Sequence, residues 1–223
     1  MIWNLMKLNL LFCLFALPSG VLFALAMFTP LGGIGYILSI ALAFPIGGAC
    51  TACFFCLSKI VRRDPGYLWY DFKRKLKENF KQAIAPGILC VAFLYLEIFL
   101  WQYFLFAEPN IFWVVAAVVP LIAFLMVVPY IFIQIAYIEL KTSLIIKNAL
   151  LISFGNAGRS FAGALLGGII WIVFILLLPD SLPYSPLLLV FGFSVPWLLN
   201  LLLIWKPVDE QFSISKTLRG ESL

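Results

Sequence analysis

Long apolar runs separated by short polar or charged segments set the pattern of this chain. Runs of about 20 apolar residues match the thickness of a bilayer's hydrocarbon layer. Six are expected as spans: Leu8–Phe28, Ile34–Leu57, Ile84–Phe106, Ile111–Gln134, Ala162–Leu178 and Leu187–Ile204. Turns are expected at Thr29–Gly33, Ala107–Asn110 and Pro179–Pro186, where Gly, Pro, Asn or Asp interrupt the runs. The first run resembles a signal peptide, with Ala24 and Ala26 placed like a cleavage site, but it is about twice the length of a signal core and reads as an anchor. Pro45, with Gly47 and Gly48, is expected to break the second span in its middle.

The segment from Lys59 to Gln82, KIVRRDPGYLWYDFKRKLKENFKQ, carries eight of the fifteen basic residues. Asp64 followed by Pro65 reads as a helix start. Trp69, Phe72, Leu76 and Phe80 then recur every three or four residues, with Lys73, Lys75, Lys77 and Lys81 over much of the remaining circumference. That spacing predicts a helix at about 65–82 lying in the membrane interface, apolar side toward acyl chains and lysines toward anionic head groups. Segment 140–160 reads as a second, more apolar amphipathic loop.

The fold expected is therefore all-α: a polytopic transmembrane helical bundle of six spans, one domain over 1–205, with a polar tail at 206–223. Composition agrees, since 64% of residues are hydrophobic and 11% charged, with a mean hydropathy of +1.09. Soluble domains average about 25% charged residues. The ten-residue alternation of a transmembrane barrel is missing. With an even number of spans and the amino terminus inside, all basic residues fall on the cytoplasmic side. This set is Lys7, the eight of the basic segment, Lys141, Lys147, Arg159, Lys206, Lys216 and Arg219. Such asymmetry is the positive-inside pattern, and it puts both termini in the cytoplasm of a multi-pass protein. The net charge of +5 is thus accounted for by topology and membrane lipids, with no nucleic-acid partner expected.

Few side chains suggest chemistry. The sequence has no His, the commonest acid or base near neutral pH. Glu97 is the one ionisable residue well inside a predicted span. It reads either as a substrate or ion site, sharing a polar face with Gln102, or as a residue near the outer interface. Gln134 and Asn200 read as polar contacts within the bundle. Cys50, Cys53 and Cys56 lie three apart among Gly47, Gly48, Ala49 and Ala52. Thiolates can hold a soft metal, but a close-packing surface explains the run equally, and no metal or other cofactor is expected. Gly163 and Gly167 form a small-residue stripe suited to helix packing. Arg62, Arg63, Lys73, Arg74, Lys77 and Lys81 are candidates for contact with a cytoplasmic partner or anionic lipid, or serve only to set topology. No nucleotide-binding loop, Ser-His-Asp set or paired catalytic carboxylates occurs, which argues against an ATPase subunit and less strongly against an enzyme.

The segment GACTACFFCLSKIVRRDPGYLWYDFKRKLKENFKQA (48–83) resembles the signature region of the YesL-like bacterial membrane proteins. The matching positions are Asp71, Phe72, Lys77, Asn79, Phe80, Lys81, Gln82 and Ala83. Further similar positions are Leu17–Pro18, Lys147–Asn148–Ala149–Leu150 and GFSVPWLLN (192–200). The chain departs from the pattern in the long stretch between Pro18 and Phe44. The resemblance implies the cytoplasmic membrane of a bacterium and an accessory role beside carbohydrate ABC transporters; it implies no catalytic residue. Two functions compete: a non-enzymatic accessory or scaffold protein contacting transporter subunits or another partner, and a small transporter with Glu97, Gln102 and Gln134 along its path. An intramembrane enzyme is the weakest reading.

Overall fold

A computed structural model describes residues 2–30, 32–64, 66–106, 111–176 and 190–214, without the side chains of 104–106 and 172–176. Its elements are α1 (Ile2–Phe28), α2 (Gly32–Ala41), α3 (Phe44–Val61), α4 (Leu68–Phe106), α5 (Ile111–Tyr137), α6 (Thr142–Gly155), α7 (Ala157–Leu176) and α8 (Ser194–Phe212). The described chain is an all-helical bundle, as an apolar solvent requires, because a helix satisfies its own backbone.

The six-span count does not hold. Four helices, α1, α3, α4 and α5, are long and apolar enough to cross a membrane. A fifth span results if α6 and α7, bent by 97° at their junction, count as one. With six spans overturned, the placement of both termini on one side loses the parity on which it rested.

Each difference has a local cause. The run Ile34–Leu57 is not one span: it divides between α2 and α3, with a turn before Phe44. Pro45 occupies the first turn of α3, where its missing N–H costs no helical bond; it starts a helix instead of breaking one. The expected interfacial helix is not separate either. Its turns are the first part of α4, which runs unbroken through Pro86 for 39 residues. At 1.5 Å per residue this contour is about 58 Å, nearly twice the hydrocarbon thickness. The charged turns are therefore continuous with a span through Pro86, a residue that bends helices.

Residue 187, where the sixth span was expected to begin, lies outside the described residues, and α8 starts at Ser194. It passes Ile204 and continues to Phe212, so the first part of the polar tail is helical, with Pro207 and Val208 buried. The turns expected at 107–110 and 179–186, Pro65, Lys216 and Arg219 lie outside the described residues.

The core centres on α3, largely enclosed by α1, α4, α5 and α8. It runs antiparallel to Asp71–Gly87 of α4. At their crossing, a Cβ on Gly87 would lie 2.5 Å from the Gly47 backbone, and one on Gly48 would lie 3.0–3.1 Å from Leu76 and Phe80. At Gly47 and Gly87, where backbone meets backbone, only glycines permit this approach. Phe72, Leu76 and Phe80 of the expected stripe thus face α3 and α1, with Phe72 beside Phe15 at 6.1 Å, whereas Trp69 is exposed. Gly163 and Gly167 likewise take α8 against α7, at Asn200 and Pro196.

Candidate functional site

The ends of α3, α4, α5 and α8 meet in a cluster of charge and aromatic rings. Lys59 lies in the last turn of α3, where a cation complements the helix dipole. After it the chain reverses through Arg63, at a left-handed φ of 57°, and Gly66. A Cβ on Gly66 would lie 2.6 Å from the Asp71 carboxylate, so a larger residue here would press into the ion pair. Asp71, only 6% exposed, accepts from Lys59 Nζ at 2.8 Å and from Arg74 Nη2 at 3.3 Å. Asp64 is not a helix cap; it lies 3.9 Å from Lys59 and 3.7 Å from Arg62.

A directed hydrogen-bond chain runs beside these pairs. Ser58 Oγ donates to the Phe55 carbonyl at 2.7 Å. This leaves the Tyr137 hydroxyl to donate to Ser58 Oγ at 2.6 Å, while Arg62 donates to the Tyr137 oxygen at 3.2 Å. The Arg62 guanidinium also stands 5.8 Å from the Tyr137 ring and 5.6 Å from that of Trp205. Lys59, Arg74 and Lys75 surround the Phe55 ring at 5.1–6.0 Å. Gln82 donates to the Leu140 carbonyl, tying α4 to the connection before α6. This arrangement can lock four helix ends together.

The candidate residues sort into three groups. Asp71, Arg62, Arg74 and Gln82 join the cluster. Phe72 and Phe80 pack against α1 and α3, and Asn79 bonds the Lys75 carbonyl on its own helix. Arg63, Lys73, Lys77 and Lys81 are exposed, as is Lys147 on α6, with Asn148 half-buried.

Glu97, Gln134 and Asn200 are not assembled into a site. Glu97 is 3% exposed, and neither carboxylate oxygen has a hydrogen-bond partner. Gln134 lacks partners at both amide atoms and Asn200 at its oxygen, so the three do not bond one another. Gln102 is half-buried on α4. Among the described residues no group of three or more His, Cys, Asp or Glu side chains is placed to hold a metal. Cys53 Sγ points at the Leu8 carbonyl, 3.8 Å away, and Cys56 Sγ at that of Leu68, 3.9 Å away.

Sequence reading missed Lys59, Ser58 and Tyr137 as site members, and it missed Asn9. The Asn9 amide oxygen accepts from the backbone N–H groups of Phe193 and Ser194 at 2.8 and 2.9 Å, capping α8 from α1. Its signal was available: an amide inside an apolar helix needs a partner. Comparison with protein-family models, curated proteins and solved structures finds no match in any of the three.

Proposed function

We propose that this multi-pass membrane protein is a non-enzymatic accessory or scaffold of the bacterial cytoplasmic membrane, docking on a carbohydrate ABC transport system. One observation carries the docking. Tyr67, Trp69 and Tyr70 are 89%, 61% and 63% exposed at the start of α4. They flank Asp71, at the end of the bundle where α3, α4, α5 and α8 meet. Exposed aromatic rings suit a protein contact, where Tyr and Trp are enriched. The clamp of Lys59, Asp71 and Arg74 holds the chain beside them in place. The choice of a carbohydrate transporter follows from the resemblance of segment 48–83 alone, and the eight basic residues of 59–82 support a cytoplasmic side for this end of the bundle.

A photo-crosslinking residue at Trp69, activated in native membranes, is expected to capture a transporter subunit. Tyr67→Ser with Tyr70→Ser is expected to abolish co-purification while leaving membrane insertion intact. Capture of no protein, or unchanged co-purification, rules the docking out. A cysteine at Lys73, in a chain cleared of its own cysteines, is expected to resist an impermeant thiol reagent in intact cells; labelling there reverses the orientation.

The orphaned Glu97 carboxyl favours a second reading, a transporter, because an unpartnered ionisable group inside a span is costly. Glu97→Gln would then reduce flux in reconstituted vesicles without lowering abundance, and equal flux removes this reading.

A further inference from the structure

Two ring contacts fix how α4 and α5 lie against each other beyond Pro86. Phe93 stacks on Phe124 at 4.5 Å, and Tyr103 meets Trp113 edge-on at 5.1 Å. The two helices are therefore antiparallel here. Glu97, one turn past Phe93, falls level with Pro120, one turn before Phe124. Trp113, Ala117, Pro120 and Phe124 recur every three or four residues, so they line one side of α5. Ala117, on that side, is 1% exposed, so the packing is closed at this level. Glu97 is itself buried, and both of its oxygens lack a partner. Proline has no N–H, so Pro120 leaves the carbonyl of Ala116, four positions back, without its helical donor. In lipid such a freed group needs a donor from outside its own helix.

A carboxylate and a carbonyl are both acceptors, so neither satisfies the other unless a proton or a cation stands between them. α5 bears no hydroxyl or amide side chain before Tyr130, which leaves the two Glu97 oxygens and the freed carbonyl as the acceptors α4 and α5 offer here. Hard metal cations take about six or more oxygens; a proton needs one oxygen to carry it and one to accept it. No charged side chain supplies an alternative. α2 and α5 carry none, and on α4 there is none beyond Lys81 apart from Glu97 itself. Lys7 on α1 lies sixteen positions before Phe23, the residue that meets Tyr95 of α4. The other titratable groups on α4 and α2 at this end are Cys90, Tyr95, Tyr103 and Tyr36.

We propose that Glu97 is a proton-binding site, its carboxyl group carrying a proton on one oxygen and donating it to the Ala116 carbonyl across the α4–α5 contact. Release of that proton to water sets acceptor against acceptor and leaves a bare charge in a span, which loosens the contact between the two helices. The site deepens the transport reading by naming its ion, yet it stands on burial and register and not on flux.

The test is infrared spectroscopy of the full chain in lipid vesicles at neutral pH, with isotope-labelled glutamate to identify the bands. The wild type is expected to show the C=O band of a protonated, hydrogen-bonded glutamic acid, shifted by the label. Glu97→Gln is expected to lose that band entirely and to keep the wild-type unfolding midpoint, because the amide N–H replaces the acid O–H as donor. Pro120→Ala returns a helical donor to Ala116 and is expected to move the band to higher frequency, as the acid loses its acceptor. Should Glu97→Gln fail to accumulate, the shift in Pro120→Ala still assigns the band to Glu97. Absence of the band in the wild type overturns the proposal, as does a band that survives in Glu97→Gln or stays unmoved in Pro120→Ala. Flux is a separate readout. A band without flux upholds the site and removes the transport reading, whereas flux lost in Glu97→Gln without any band keeps transport and overturns the proton site.

Discussion

Lys59 and Asp71, twelve positions apart, meet at 2.8 Å and close the reversal between α3 and α4. The contact is largely shielded from solvent, so removing one partner strands the other. Asp71→Asn is expected to cost about 2–4 kcal/mol, measured as a lowered unfolding midpoint in detergent. Replacing Lys59 by Met in the same chain is expected to recover part of the loss, because no unpaired ammonium remains. Additive losses in the double variant contradict a direct pairing.

The Gly47–Gly87 crossing sets how closely α3 and α4 approach. Gly47→Val is expected to destabilise by about 3 kcal/mol or more, since a side chain there meets the Ala83 and Gly87 backbones. Gly155→Ala, with no atom within 4 Å of the added methyl, is expected to be neutral. Similar unfolding midpoints for the two variants contradict the packing described.

Tyr137 combines two roles that substitution can separate. Tyr137→Phe loses the bonds to Ser58 and Arg62 but keeps the ring beside Phe55 and Trp205. Its expected cost is about 1–3 kcal/mol. Tyr137→Ala also loses the buried ring, and about 3–5 kcal/mol is expected. Chemical denaturation in mixed micelles measures both; equal costs would mean that the ring contributes nothing.

Asn9→Leu leaves the N–H groups of Phe193 and Ser194 without their acceptor. A loss of about 1–3 kcal/mol is expected. Hydrogen exchange at the first turn of α8 should rise with it, and unchanged exchange there contradicts the cap.

The helical, lipid-soluble character of the chain was legible in its apolar runs, whereas the count of spans was not. Proline explains part of the difference. Pro45 looked like a break and begins α3, while Pro86, in the first turn of the span expected from Ile84, lies inside α4. Proline disfavours the residue before it in a helix and suits a first turn, so the residue alone does not say which side of it is helical. Of the stripe Trp69, Phe72, Leu76 and Phe80, the last three pack on α3 and α1 where acyl chains were expected, and Trp69 is exposed. Periodicity reports that a face is apolar; it does not distinguish acyl chains from α3. Among site residues, Arg62 and Arg74 were named from the charge of the segment, and Asp71 only through a resemblance that gave it no role. Lys59, Ser58 and Tyr137 were not, because their meeting depends on how three helix ends converge.

The cap on α8 orders events during synthesis. Asn9 leaves the ribosome 184 residues before Phe193, a delay of about 10–40 seconds at ordinary elongation rates. Until then its amide oxygen must be met by water, a head group or the insertion machinery. The first helix thus waits beside the machinery for the last, and the bundle is fastened only when nearly all of it has been made.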